Sequence, residues 1–371
     1  MAAYKDAGVD LKLGDESSKI LYEAARRTWK NREGDLGEVV ELFPDFSGFR
    51  AVNIGGLPVG TYMNLSFDGV GTKIEAAERT MKHDAVAYDL FAMVCDDAVV
   101  RGAEPVLLGS ILDVNSLDGN MEPLRQLAKG YINAAKKANV AVVNGEIAEL
   151  GARVHGYGNF NYNWGAGIVW FAHKDRILTG KEIRVGDKLV ALKEKGFRSN
   201  GLSLVRKIME KEFGKEWHNV LWENKTLGEE ILTPSVIYTR AVVDMFGGYN
   251  PERKPKTEIH GVVHITGGGI PGKLGRVLKS SRLGAIVESL KPPKIMDIVK
   301  NWGNVSDETA YETWNMGQGM IIIAPDPKRV IQIAVSHGIE AHSVGEIIKD
   351  KKILIKSNGH YSERKELVFE L

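Results

Sequence analysis

Three times in this chain an apolar or alternating run stops at a short cluster of acid, glycine or hydroxyl residues, and this recurrence limits the available folds more than any other feature. Tyr62 to Phe67 alternates like a strand and ends at Asp68-Gly69-Val70-Gly71-Thr72-Lys73. Val140 to Val143 ends at Asn144-Gly145-Glu146, and Val262 to Ile265 ends at Thr266-Gly267-Gly268-Gly269. Helical patterns lie between the strand-like runs. Ser17 to Lys30 carries Ile20, Leu21, Ala24 and Ala25 on one side. His83 to Val100 spaces Val86, Leu90 and Met93 so that Asp97 continues the apolar stripe, and Glu122 to Asn139 is amphipathic. With further strands at Pro105 to Val114 and Gly165 to Ala172, the predicted class is α/β.

The second half repeats the mixture. It has a strand at Lys188 to Leu192, a helix after Asn200, a helix from Pro234 to Met245 and another after Gly269. A strand at Met320 to Ala324, a helix at Pro327 to Ser336 and a closing strand at Ala341 to Ile347 complete it. At 371 residues the chain exceeds what one core usually fills. The polar stretch His173 to Gly180 is the expected junction, dividing the chain into domains 1–173 and 174–371.

Lys and Arg number 49 against 48 Asp and Glu, so no global field recruits nucleic acid or an anionic membrane, and anions must be gripped locally. Every hydrophobic stretch is interrupted well short of the roughly 18 to 20 apolar residues that cross a bilayer. The single cysteine, Cys95, cannot form an intrachain disulfide, and the polar opening lacks an apolar signal core, which predicts a reducing cytoplasm.

The first cluster suits a nucleoside triphosphate. Gly69 and Gly71 let amides turn toward phosphate oxygens, Thr72 offers a hydroxyl, Lys73 a point cation, and Asp68 a hard carboxylate for Mg²⁺. It is not a Walker A loop, and the plainer reading is a tight turn with a solvated lysine. Asp97 on a buried stripe would require a cation or donors, because an unpartnered buried carboxylate costs several kcal/mol. Glu146 is the third acid at the end of an apolar run, and together the three point to a metal and phosphate site. Asp96 and Asp113 are weaker candidates. Thr266 to Gly269, between a strand and a helix, fits a substrate phosphate or merely a flexible turn. Arg198-Ser199-Asn200-Gly201 offers a guanidinium, a hydroxyl and an amide, or simply a helix cap. A lone histidine inside a strand is more often a core residue, so His264 receives no role.

In order along the chain, these strings resemble the aminoimidazole ribonucleotide synthetase family. The matching strings are Tyr4 to Asp10, Asp68 to Lys73, Lys82-His83-Asp84, Asp97 through Gly102-Ala103-Glu104-Pro105, and Glu146-Ile147-Ala148-Glu149. They continue with Ser199-Asn200-Gly201, Ser203 to Lys207, Thr233-Pro234, His264 to Gly269 and Gly345-Glu346-Ile347. The resemblance implies a two-domain PurM-like fold, with N-domain strands forming a barrel across a homodimer interface and ATP near it. It implies an enzyme, an ATP-dependent ligase of purine biosynthesis that closes the ring of formylglycinamidine ribonucleotide through a phosphorylated amide. By carry-over Asp68, Asp97 and Glu146 would hold Mg²⁺ and the triphosphate, Gly69, Gly71, Thr72 and Lys73 would cradle it, and Asp68, Lys73 and Asp97 would be catalytic. Arg198 to Gly201 and Thr266 to Gly269 would take the phosphoribosyl substrate.

Four departures stand out: Arg198 where the family usually has His, a single glycine in Phe43 to Phe49, Asn144 for a usual glycine, and Asp96 for asparagine. They keep two other readings open, another ATP-using member of the superfamily (a small-molecule kinase or synthetase) and a nucleotide-binding paralogue without turnover.

Overall fold

The computed structural model describes residues 11–42, 50–357 and 366–371. The strings Tyr4 to Asp10 and Phe43 to Phe49 therefore lie outside the described residues.

After the helix Leu11–Trp29, β1 (Val39–Glu41) and β2 (Arg50–Val52) form an antiparallel ribbon. A four-stranded sheet follows, built from β3 (Thr61–Gly69), β4 (Glu104–Val114), β5 (Ala141–Glu149) and β6 (Tyr162–His173) in the order β3-β6-β4-β5. Only β4 and β5 run parallel, and the helix Met121–Ala138 between them supplies the crossover that a parallel pair needs. On one face this sheet packs Leu108, Leu112, Trp164 and Ala166 against Leu90, Phe91 and Val94 of the helix Val86–Val99. On the other face Met63, Leu65, Phe67 and Ile111 are exposed.

In the second half, β7 (Lys188–Lys193) is followed by the short hairpin β8 (Leu221–Trp222) and β9 (Lys225–Thr226). Then come β10 (Gly261–His264), β11 (Gly284–Val287), β12 (Gln318–Ala324), β13 (Ala341–Ile348), β14 (Lys352–Lys356) and β15 (Glu366–Glu370). With β7 they make a seven-stranded sheet in the order β10-β12-β7-β13-β11-β14-β15. The α/β expectation is met, with mixed rather than parallel sheets. The helix Val86–Val99 joins the halves, touching both the helix Thr239–Phe246 and β10.

Three expectations need correction. The helix predicted from Pro234 begins only at Thr239, because the backbone N–H groups of Val236 and Tyr238 are taken by the carboxylates of Glu194 and Asp96 instead of helical carbonyls. The strand predicted to stop at Val143 runs on to Glu149, since residues 144–149 keep pairing with β4. Ala341 to Ile347 does not close the chain's strands, because β14 and β15 follow it.

Candidate active site

Cross-strand register decides where the predicted acids point. Gly69, Gly165, Ile111 and Glu146 form one row across the sheet, while Asp68 lies in the next row with Ala166, Ser110 and Gly145. Successive side chains face opposite ways, so Asp68 points to the helix-covered face and Glu146, with exposed Ile111, to the open one. Three strand spacings, roughly 14 Å, also separate β3 from β5. Among the described residues no group of three or more His, Cys, Asp or Glu side chains is placed to hold a metal ion. The expected triad of Asp68, Asp97 and Glu146 is thus not assembled within one chain. Asp68 and Glu146 do border one cavity of about 730 Å³ over the sheet, with Phe67 and Asn144.

Asp97 differs from its expectation in another way. The helix Val86–Val99 is buried nearly all round, so an apolar stripe does not discriminate, and Asp97 is its one exposed side chain, at 53%. The buried acid is its neighbour Asp96. Asp97 accepts a hydrogen bond from His264 Nδ1 at 2.6 Å. Its partial burial pushes the carboxyl up, but the hydrogen bond from His264 and the positive charges of Lys273 and Arg198 prevail and hold it below the usual carboxylate range. Asp68 moves the opposite way: burial raises it, the charge of Asp97 adds to this, and the Gly69 N–H, at 2.7 Å, offsets only part. Two carboxylates that feel each other's charge therefore share the seam between the halves.

The glycine and hydroxyl loops meet there. Gly71 approaches the carbonyl of Ser199, and Thr72 Oγ1 lies 3.5 Å from Ser203 Oγ. A Cβ on Gly267 would sit 3.5 Å from Asn200 Oδ1, which brings the third loop in. Gly269 holds φ at +59°, and a Cβ would fall 1.9 Å from the Tyr311 carbonyl oxygen, so that turn requires glycine. Ser199 Oγ is buried with no hydrogen-bond partner among the described residues. Thr266, Gly268 and Gly201 complete the two C-terminal loops, Gly201 and Gly268 both with positive φ.

Lys73 and Arg198 are placed otherwise than predicted. The Lys73 ammonium is fully buried, 2.7 Å from Asp89 and 2.6 Å from the Thr233 carbonyl, so its charge is matched within the protein. Arg198 is 1% exposed and held between Glu194 and Asp96.

Residues 51–166 match the family described as AIR synthase related protein, N-terminal domain, and residues 184–356 match its C-terminal domain. Phosphoribosylformylglycinamidine cyclo-ligase of Methanocaldococcus jannaschii is 35% identical over 356 residues, covering 95% of this chain and 94% of that protein. The chain belongs to the AIR synthase-related family. The protein of the same name from Picosynechococcus sp. is 34% identical over 351 residues, covering 93% of this chain and 96% of its own. The crystal structure of E. coli HypE, a hydrogenase maturation protein, has a TM-score of 0.60 at 14% identity, covering 95% of this chain and 96% of that one, and so shares the fold.

In this family member the residues missed by sequence reasoning are His264 and Lys273. His264 sits at the end of β10, directly before the glycine loop. Lys273 follows that loop in the first turns of the helix Gly269–Leu278, where it acts on both acids. Burial and the charge of Arg276 lower its ammonium, and Asp97 and Asp68 pull it back only in part. A basic residue near a helix N-terminus opposes the helix dipole. That local conflict was the available signal.

Proposed function

We propose that the chain closes the ring of formylglycinamidine ribonucleotide at the expense of ATP, forming aminoimidazole ribonucleotide in purine biosynthesis. The observation that carries this reading is the meeting of the Gly71, Ser199 and Gly267 loops beside the Asp68 and Asp97 carboxylates, in a chain that keeps about a third identity to cyclo-ligases end to end. The formyl oxygen attacks the γ-phosphorus and ADP leaves. The amidine nitrogen then attacks the activated carbon, loses its proton, and phosphate departs. Phosphorylation turns a poor leaving oxygen into a good one.

The donor set fits Mg²⁺, an ion that takes one or two carboxylates and completes its shell with phosphates and water. Asp68 and Asp97 would hold it, where it would neutralise charge on the transferred phosphoryl group. Gly69, Gly71 and Thr72 line the triphosphate, and Ser199, Asn200 and Thr266 to Gly269 orient the phosphoribosyl substrate. Catalysis is mainly positioning and electrostatics. Arg198 has no part as a base: it is buried, and a guanidinium does not deprotonate in proteins.

Glu146 reaches the nucleotide only from the open face, which supports a homodimer. Among the described residues β3 is an edge strand, its Phe67 (75%) stands exposed, and Ile111 (58%) of β4 is exposed on the same face of the sheet. Such an apolar patch next to an unpaired edge needs a cover. A second copy closing a barrel over it supplies one. In this reading the two domains meet at residues 173 and 174. Among the described residues no helix is long and apolar enough to cross a membrane, and a cytoplasmic enzyme is the reading that fits the lone buried thiol.

Purified protein given formylglycinamidine ribonucleotide, ATP and Mg²⁺ is expected to release ADP over many turnovers. ATP binding without turnover would favour the inactive paralogue, and turnover only on another acceptor would favour a kinase or synthetase. Asp97→Asn keeps volume and removes a charge. It is expected to weaken Mg·ATP binding by roughly tenfold or more, the size of one lost charge-assisted contact, with thermal stability preserved. Calorimetric titration checks this, and unchanged affinity would make Asp97 merely structural. Phe67→Asp is expected to yield a folded monomer by analytical ultracentrifugation, because the side chain adds little to the core of a single chain. A variant that still sediments as a dimer would remove this face from the interface.

A further inference from the structure

Arg198 is the residue by which this chain departs most from the pattern it resembles, and the structure surrounds it with acceptors. Its Nη1 donates to Glu194 Oε2 at 2.7 Å and to the Val236 carbonyl at 2.9 Å. Its Nη2 donates to Asp96 Oδ2 at 3.2 Å and lies 2.9 Å from His264 Nε2. The ring of Tyr238 lies 5.3 Å from the guanidinium carbon. Arg198 adopts this pose at φ +58°, a strained conformation for a residue with a side chain, held through both terminal nitrogens while its Nε has no hydrogen-bond partner among the described residues.

One elementary fact turns this geometry into an assignment. A guanidinium has five donors and no acceptor, so the histidine nitrogen facing it must present a lone pair. His264 Nε2 therefore carries no proton, and the ring proton sits on Nδ1, 2.6 Å from Asp97 Oδ1. Neither carboxylate beside Arg198 needs a proton from it: Asp96 Oδ1 accepts from Tyr238 N at 2.9 Å and Thr239 Oγ1 at 2.8 Å, and Glu194 accepts from Tyr238 Oη at 3.1 Å.

We propose that Arg198 is a positioning residue which, by occupying Nε2, locks His264 in the Nδ1-protonated tautomer and so aims the Asp97 carboxylate into the seam. The relay crosses the two halves of the chain, from the loop after β7 through the end of β10 to the helix Val86–Val99. A histidine at position 198 could accept as well as donate, and would leave the tautomer of His264 undetermined. The arginine removes that freedom. The role in catalysis rests on the function proposed above, whereas the tautomer does not.

Two measurements on the full chain separate these. In protein labelled with ¹⁵N-histidine, two-bond ¹H–¹⁵N correlations for His264, assigned by their loss in His264→Gln, are expected to show protonated Nδ1 and bare Nε2. The reverse pattern, or a mixture, overturns the proposal whether or not the protein turns over substrate. Arg198→Lys keeps a cation between Glu194 and Asp96 but gives up the planar fork. It is expected to fold, to lose the single tautomer and, since Asp97 is assigned to Mg·ATP, to lower kcat/KM for ATP roughly tenfold to a hundredfold, as misplacement of one catalytic group does. Retention of the single tautomer, or an unchanged kcat/KM for ATP, would also overturn it. A wild-type protein with the expected tautomer and no cyclo-ligase turnover would instead refute the function and leave the hydrogen-bond assignment standing.

Discussion

Lys73→Met is expected to lower the free energy of unfolding by about 3–5 kcal/mol, the cost of leaving one member of a buried ion pair behind. Asp89 is wholly buried, accepts from Lys73 and Ser235 through Oδ1, and has no hydrogen-bond partner at Oδ2 among the described residues. Without the ammonium Asp89 keeps no ion pair among the described residues. The double variant Lys73→Met with Asp89→Leu is expected to regain most of the loss, since a buried pair replaced by apolar groups is often close to neutral. Denaturant melts with ATPase assays on the same samples decide between scaffold and ligand. If Lys73 touched phosphate, the single variant would stay stable and lose nucleotide affinity, and the double variant would remain inactive.

The second large effect is with pH. His83 is fully buried against Phe160 and Tyr162, its Nδ1 lies 3.1 Å from Tyr162 Oη, and its Nε2 has no hydrogen-bond partner among the described residues. Burial lowers the imidazole from 6.5 to about 4, against a small opposing pull from Asp84. A folded-state value below the unfolded one means that the unfolded chain takes the proton first. The contribution is complete above about pH 6.5, is lost as pH falls from there towards 4, and stays level below. Over that window the loss amounts to about 3 kcal/mol. Stability measured between pH 7 and 4 is expected to fall more steeply in the wild type than in His83→Phe. Parallel slopes would show that another group carries the acid sensitivity.

Much of the candidate site was legible in the sequence. The strand ending at Asp68, the Ser199 to Gly201 loop and the glycine loop after β10 were each recognisable from local pattern, and they meet in space. Short-range rules suffice there, because a strand that ends in glycines and leads into a helix is specified by neighbouring residues. Pattern failed where a single step of phase matters. Glu146 stood out as an acid after an apolar run, yet its position in a continuing strand turns it to the face opposite Asp68. Asp96 and Asp97 exchanged roles because a helix buried on almost all sides offers no apolar stripe to read.

The chain's own order of residues determined its mixed α/β class, the places where strands give way to ligand-type loops, and its family, since these follow from the periods of neighbouring side chains and from ordered strings. Tertiary structure alone decided which charges are free. Lys73 faces Asp89 sixteen positions on, and Arg198 meets Asp96 across 102 positions of chain. The reason is that desolvation and pairing depend on distances through space, to which spacing along the chain gives no guide.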